Sequence, residues 1–211
     1  MSKNKLPENI AVFPLSNAVF FPKTTLPLNI FEKRYVQLVS DCMKEDRMFG
    51  MVQPKTRSGS KPEVYQVGCL GKIISFNETT DKRFIINLSG ISRFRIKEEI
   101  KNDKIYREFK VDYSDFESDL ETMKIEKNYN LKNLLTRARI LFEKKNFMID
   151  WNEVEKLNIE QLIPTICMIS PFSIQEKQKL IETVKVEDHL GLLEELINLN
   201  ILNSLDNKTL Q

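Results

Sequence analysis

The side chains best suited to nucleophilic or metal chemistry are one histidine, His189, and three cysteines, Cys42, Cys69 and Cys167. A single histidine leaves no self-contained Ser-His-Asp, Cys-His or HExxH arrangement to write, and His189 is expected on the solvent side of the last helix. The cysteines are widely separated, odd in number and free of CxxC spacing, so they are expected to be reduced, mostly buried thiols. Carboxylate pairs such as Glu98-Glu99 and Glu194-Glu195 are sequence neighbours and read as solvated charges, not as an acid–base pair across a cleft. Gly68-Cys-Leu-Gly71-Lys72 has two residues between its glycines where a phosphate loop has four, and no Ser or Thr follows the lysine. Those glycines are expected to bend a strand. Arg93, Arg95, Lys97, Lys101, Lys104 and Arg107 cluster over two neighbouring strands, but Glu98, Glu99, Asp103 and Glu108 interleave with them, as on a solvated polar face. No catalytic, cofactor-binding or metal-ligating set is therefore expected.

The composition agrees. The 211 residues carry 32 basic and 30 acidic side chains, a balance unlike the basic excess of dedicated nucleic-acid or membrane-surface proteins. Hydrophobic residues make up 41% and charged residues 29%, which supports a real core and argues against disorder. The first residues are polar with no apolar run behind them, and no apolar stretch reaches the ~18 residues of a membrane span. A cytoplasmic protein without membrane partners is expected.

The elements that would position these residues fall into two groups. Short apolar pieces punctuated by proline, at Ile10–Pro14, Val19–Pro22 and Leu26–Ile30, read as strands or extended segments at sheet edges, since proline cannot donate to a ladder. A helix is expected over residues 32–44, with Tyr35, Leu38, Val39, Cys42 and Met43 as its apolar stripe. A short strand follows at Met48–Val52, then a loop rich in Pro, Ser, Lys and Gly up to residue 60. From Phe84 the even positions Phe84, Ile86, Leu88, Phe94 and Ile96 are apolar while Arg93, Arg95 and Lys97 are polar, the period of a strand with one buried face. Ile105, Phe109, Val111 and Tyr113 repeat that phase facing inward. Strands bent at Gly68, Gly71 and Gly90 suggest a small barrel-like sheet. Past residue 119 the period becomes 3.6. Helices are expected over residues 125–145, after capping boxes at Asp150–Glu153 and Ser173–Glu176, across 159–170 with Pro164 as a kink, and over 186–205. The reading is α+β: a bent-strand unit over residues 8–118 and a helical bundle over 119–206.

Phe13-Pro-Leu-Ser-Asn-Ala-Val-Phe-Phe-Pro22 and Leu26-Pro-Leu-Asn-Ile-Phe-Glu-Lys-Arg-Tyr35 resemble the opening of the amino-terminal, substrate-binding domain of Lon-type ATP-dependent proteases. Asp46–Gly50, Val67–Ile74, Gly90-Ile-Ser-Arg-Phe-Arg-Ile96, Tyr106 and Cys167-Met-Ile-Ser-Pro-Phe172 continue the resemblance over roughly residues 8–200. The family usually has glycine where Lys23 stands, so that turn must avoid a positive φ or bear strain. The Walker A loop and Ser–Lys peptidase dyad of full-length Lon proteins have no counterpart in this sequence.

The resemblance implies a PUA-like pseudo-barrel with one helix, followed by helices, the two together forming one Lon amino-terminal domain. It implies non-catalytic binding of unfolded or specific polypeptides, with a protease or chaperone as candidate associates and with no cofactor. An RNA-binding module on the related fold and an adaptor for one defined protein remain open alternatives. The candidate polypeptide-binding residues are Lys33, Arg34 and Gln37 on the solvent side of the first helix, beside Phe20 and Phe21 at the preceding turn. They would join polar donors to aromatic area.

Overall fold

The computed structural model describes residues 6–16, 18–55, 62–123, 125 and 129–206, with residues 205 and 206 described by their backbone alone. The chain divides into two compact units, Met1–Leu120 and Glu121–Gln211.

The first unit is built on six strands: β1 (Asn9–Pro14), β2 (Thr25–Ile30), β3 (Met48–Val52), β4 (Val67–Glu78), β5 (Phe84–Ile100) and β6 (Arg107–Asp112). Helix α1 (Lys33–Cys42) lies between β2 and β3 in the chain, and a 3₁₀ segment, Ser114–Leu120, ends the unit. The strands are ordered β2-β5-β4-β3-β1-β6, and β6 also pairs with the far end of β5. The sheet thus curls back on itself without becoming a regular barrel. β1 and β3 run parallel while the other pairs are antiparallel, and the register shifts between Leu70 and Gly71, Ile73 and Ser75, and Ile96 and Glu98.

The alternation of β5 points Phe84, Ile86, Leu88, Phe94 and Ile96 inward as expected, and α1 buries Tyr35, Leu38, Val39 and Cys42. Val19–Pro22, expected as a strand or an extended segment, lies outside the strands. Two expectations fail here. Ile105 is 57% exposed, because it lies in the β5–β6 connection, before β6 begins at Arg107. Arg93 lies on the polar side of β5 where alternation placed it, yet it is buried, because the segment Ser114–Leu120 covers it there with Asp119 and Phe116. The loop expected before residue 60 falls mostly on residues 56–61, outside the described residues.

Two turns explain the tightest packing. Lys23 adopts φ 62°, so the turn after Pro22 does carry a left-handed residue without glycine, at a cost of about 1 kcal/mol. Its N–H donates to the Gly90 carbonyl at 3.0 Å, Gly90 N–H donates to the Thr24 carbonyl at 2.9 Å, and the Thr24 hydroxyl donates to the Phe21 carbonyl at 2.6 Å. This lays the turn directly on β5. A Cβ at Gly90 would stand 2.2 Å from the Phe21 carbonyl oxygen, so only glycine admits the approach.

The second unit comprises α2 (Leu131–Lys144), α3 (Trp151–Glu155), α4 (Ile159–Ile169), α5 (Ile174–Glu182) and α6 (Val186–Asp206). Helix α2 begins at Leu131, with Asn130 accepting from Asn133 N–H as its cap, later than the expected start near 125; residues 126–128 lie outside the described residues. Ser173 and Glu176 form the expected capping box. Asp150 instead accepts from Asn152 N–H, and Glu153 pairs with Lys156. Helix α2 packs on α6, α4 packs on α3 and α5, and α5 packs on α6. Leu134, Leu141, Phe142, Ile166, Leu180, Leu193 and Ile197 are among the buried side chains. No described helix is long and apolar enough to cross a membrane.

Candidate functional site

The surface expected to bind polypeptide is only partly assembled. Phe20 and Phe21 are 3% and 1% exposed, so they are core residues that anchor the turn on β5 and offer no surface to a ligand. Their chain position beside α1 gave no sign of this. Phe31, at the end of β2 and 65% exposed, is the aromatic ring that reaches solvent there. Lys33 and Gln37 are exposed on α1. Arg34 is half-buried, with its Nε 3.0 Å from a Glu32 carboxylate oxygen and its guanidinium carbon 4.5 Å from the centre of the Tyr35 ring. It is therefore already engaged, and its capacity to donate to a ligand is reduced.

Further apolar area lies on the hairpin that β4 and β5 make. Ile74, Phe76 and Ile85 are exposed, and Phe76 rests against Phe84 with ring centres 4.9 Å apart. Ile85 stands opposite Asn29 of β2 in register and so shares its face. Ile74 occupies the register shift between Ile73 and Ser75, which turns an apolar side chain outward. Sequence reasoning missed Ile74 and Ile85. The uninterrupted apolar pairs Ile73-Ile74 and Ile85-Ile86 were the available signal, since a strand with one wet face cannot hide both members.

The basic cluster is neutralised locally. Arg93 and Asp119, with side chains 9% and 8% exposed, form a forked pair: Nη2 to Oδ1 at 2.7 Å and Nε to Oδ2 at 2.9 Å. Asp119 also accepts from the Arg93 backbone N–H at 2.8 Å, and the guanidinium lies 4.5 Å above Phe116. Arg95 pairs with Asp115, Lys97 with Asp112, Lys104 with Glu108 and Arg107 with Glu99. Those cations leave little unbalanced charge for a phosphate backbone.

A small cleft of about 50 Å³ opens beside the carboxyl end of α1, lined by Asn9, Asp41, Glu45, Lys104, Tyr106 and Glu108 among others. Tyr106 donates to Asp41 at 3.0 Å. Burial, reinforced by that carboxylate, pushes the Tyr106 phenol up to about 12. Burial opposes ionisation of Asp41, but hydrogen bonds from Lys44 and Tyr106 outweigh it and hold the carboxyl below its ordinary value. The cleft holds a few waters' worth of space and a satisfied network, which suits a structural clasp between α1 and β6.

Among the chemically active side chains, Gly68 and Gly71 sit inside β4, so no phosphate loop exists there. Cys42, Cys69 and Cys167 are buried thiols without a disulfide. Burial raises the Cys42 thiol to about 12 and Cys69 well above its ordinary value. His189 departs from expectation. It was expected on the solvent side of the last helix, but it is half-buried and its Nε2 lies 3.2 Å from Cys167 Sγ. Their helices meet because Cys167 lies at the end of α4 and His189 in the first turn of α6. Cys167 itself has no solvent exposure, which keeps this contact a packing pair. Among the described residues, no group of three or more His, Cys, Asp or Glu side chains could hold a metal ion.

The family model of the ATP-dependent protease La (LON) substrate-binding domain matches residues 9–198. Lon protease 2 of Myxococcus xanthus is 24% identical over 215 residues, covering 98% of this chain and 26% of the relative. Lon protease of Dictyoglomus thermophilum is 25% identical over 219 residues, covering 96% of this chain and 26% of the relative. The chain thus spans about a quarter of the length of these curated relatives. A Lon N-terminal domain protein from Xanthomonas campestris superposes with a TM-score of 0.61 at 20% identity, covering 89% of this chain and 97% of that one. The N-terminal domain of Mycobacterium avium complex Lon protease superposes with a TM-score of 0.62 at 14% identity, covering 90% and 98%. The family-model match over residues 9–198, which spans both units, places the chain in the family of Lon substrate-binding domains.

Proposed function

We propose that this chain is a non-catalytic polypeptide-binding module that captures unfolded or partner protein segments. The observation that carries the reading is the family match over residues 9–198, a substrate-binding domain by description. The surface described above supports it. Phe31 offers aromatic area beside the exposed polar side chains of Lys33 and Gln37, Ile85 adds apolar area on the outer face of β5, and Phe76, opposite Ile86, adds it on the other face of the hairpin. Scattered apolar contacts with polar groups between them suit weak, multi-point capture of chains that differ in sequence. The local neutralisation of the basic strands weighs against nucleic acid as the ligand.

The test is a titration of fluorescein-labelled, reduced and carboxymethylated α-lactalbumin, which stays unfolded, against native α-lactalbumin, followed by anisotropy. Saturable binding of the unfolded form alone is expected, with no cleavage of casein and no ATP hydrolysis by the chain. Equal indifference to both forms would remove the reading. Turnover of casein or ATP that co-purifies through successive columns would overturn its non-catalytic part.

A further inference from the structure

We propose that the outer edge of β2 is the docking line, and that an unfolded segment binds there as an added strand. This rests on the polypeptide-binding reading above and names its site and geometry.

Among the described residues, β2 stands at the end of the strand order, paired with β5 on one side only. Two hydrogen bonds fix which of its backbone groups are free. Gly90 N–H donates to the Thr24 carbonyl, and Thr79 N–H donates to the Arg83 carbonyl. Stepping by two along the antiparallel registers, the even residues of β5 in this stretch bond to β2 and the odd ones to β4. Leu26, Leu28 and Ile30 therefore bond inward to Leu88, Ile86 and Phe84. Thr25, Pro27 and Asn29 turn their backbone groups outward, and all three residues are exposed. Pro27 fits this phase, because a residue without an N–H belongs where no ladder bond is donated.

Of the usual guards of an exposed edge, β2 carries one, Pro27. Thr25–Ile30 carries no charged side chain, whereas exposed edges are commonly protected by lysine or by inward-pointing charges. On the inner face Leu26 and Leu28 are only half-buried, beside the fully buried Ile86 and Leu88. A strand laid against β2 would complete that face with alternate apolar side chains while its backbone met the outward groups.

The occupant this chemistry selects is an extended segment with apolar residues at every second position, a common feature of unfolded chains. A second copy of β2 is a poorer fit. Full overlap of two such edges sets Pro27 against Pro27 and loses both donors at the centre, whereas a client residue supplies its own N–H to the Pro27 carbonyl.

The experiment is hydrogen exchange of the full chain with and without saturating carboxymethylated α-lactalbumin, alongside the variant Asn29→Pro. Exchange of residues 25–30 is expected to slow on binding. Because the Asn29 N–H points outward, proline there deletes a docking donor and no internal bond. Asn29→Pro should bind the probe roughly fivefold to tenfold more weakly at an unchanged melting temperature, the scale of one hydrogen bond. If Asn29→Pro melts early, exchange of the unmutated chain decides alone. Binding with protection confined to other segments would overturn the edge proposal and leave the polypeptide-binding reading standing. Protection of 25–30 that grows with protein concentration and without the probe would give the edge to a second copy and overturn the proposal. Failure of the probe to bind at all would overturn both.

Discussion

Gly90 and Gly191 are both interior residues of regular elements, one in the sheet unit and one in the helical unit, yet their surroundings differ completely. A Cβ at Gly90 would collide with backbone, and those at Gly50, Gly68 and Gly71 would stand within 2.4–2.7 Å of a neighbouring atom; at Gly191 it would meet nothing within 4 Å. The buried charges differ in the same sense. Arg93 in the sheet unit has a buried carboxylate partner in a forked geometry, whereas Lys177 in the helical unit donates to a single carbonyl, that of Met168, at 2.6 Å. The sheet unit is specified by close backbone approach and directional pairing. The helical unit is specified by apolar stripes, which tolerate change at the backbone as long as volume is kept.

That contrast can be broken by substitution. Gly90→Ala should cost more than about 4 kcal/mol, because backbone atoms of the Phe21–Pro22 turn must move, and chemical denaturation should show a large loss or no folded protein. Asp119→Ala should cost about 3–5 kcal/mol by stranding a buried guanidinium, while replacing Arg93 and Asp119 together with Met and Leu should recover much of the loss; a double-mutant cycle measures the difference. Lys177→Met should be neutral or stabilising by up to ~2 kcal/mol near neutral pH. Burial holds the Lys177 ammonium below its ordinary 10.5. The unfolded chain then binds that proton more tightly, so the native protein gains stability as pH rises toward 10.5 and the advantage of Lys177→Met should shrink over that window. Urea unfolding at neutral pH and about two pH units higher checks the sign. Gly191→Ala should stabilise by about 0.5–1 kcal/mol, the helix-propensity gain with no steric penalty, read as a higher urea midpoint with unchanged slope.

The elements of the sheet unit were mostly legible because period-two alternation and proline punctuation are local signals. Met48–Val52 and the inward set of β5 followed directly from them. Phe20 and Phe21 were misplaced because burial depended on a contact seventy positions away, the approach of Gly90 to their turn, which no local pattern carries. Arg93 was misread for a related reason. Its partner Asp119 lies beyond β6, in the Ser114–Leu120 segment that covers the polar side of β5, where alternation alone put a solvent-facing residue. The Cys167–His189 contact joins two helices whose crossing is invisible in either stripe. For the candidate site, Lys33 and Gln37 were readable as the polar side of an amphipathic helix. The outward backbone groups of β2 were not, since hydrogen-bond phase is a property of the paired sheet.

The pairing of β1 has a kinetic consequence. Asn9–Val12 finds its antiparallel partners at Arg107–Lys110, nearly the whole unit later in the chain, and its parallel partner β3 only after α1. During synthesis the first of these six strands to leave the ribosome is therefore among the last to be satisfied. The sheet cannot close until β6 has emerged, and such long-range closure is slow because loop entropy is lost before contacts repay it. The helices of the second unit pair mainly with near neighbours in the chain, apart from α2 with α6. Refolding of the whole chain should accordingly show fast recovery of helical signal followed by a slower phase as β1 docks between β3 and β6.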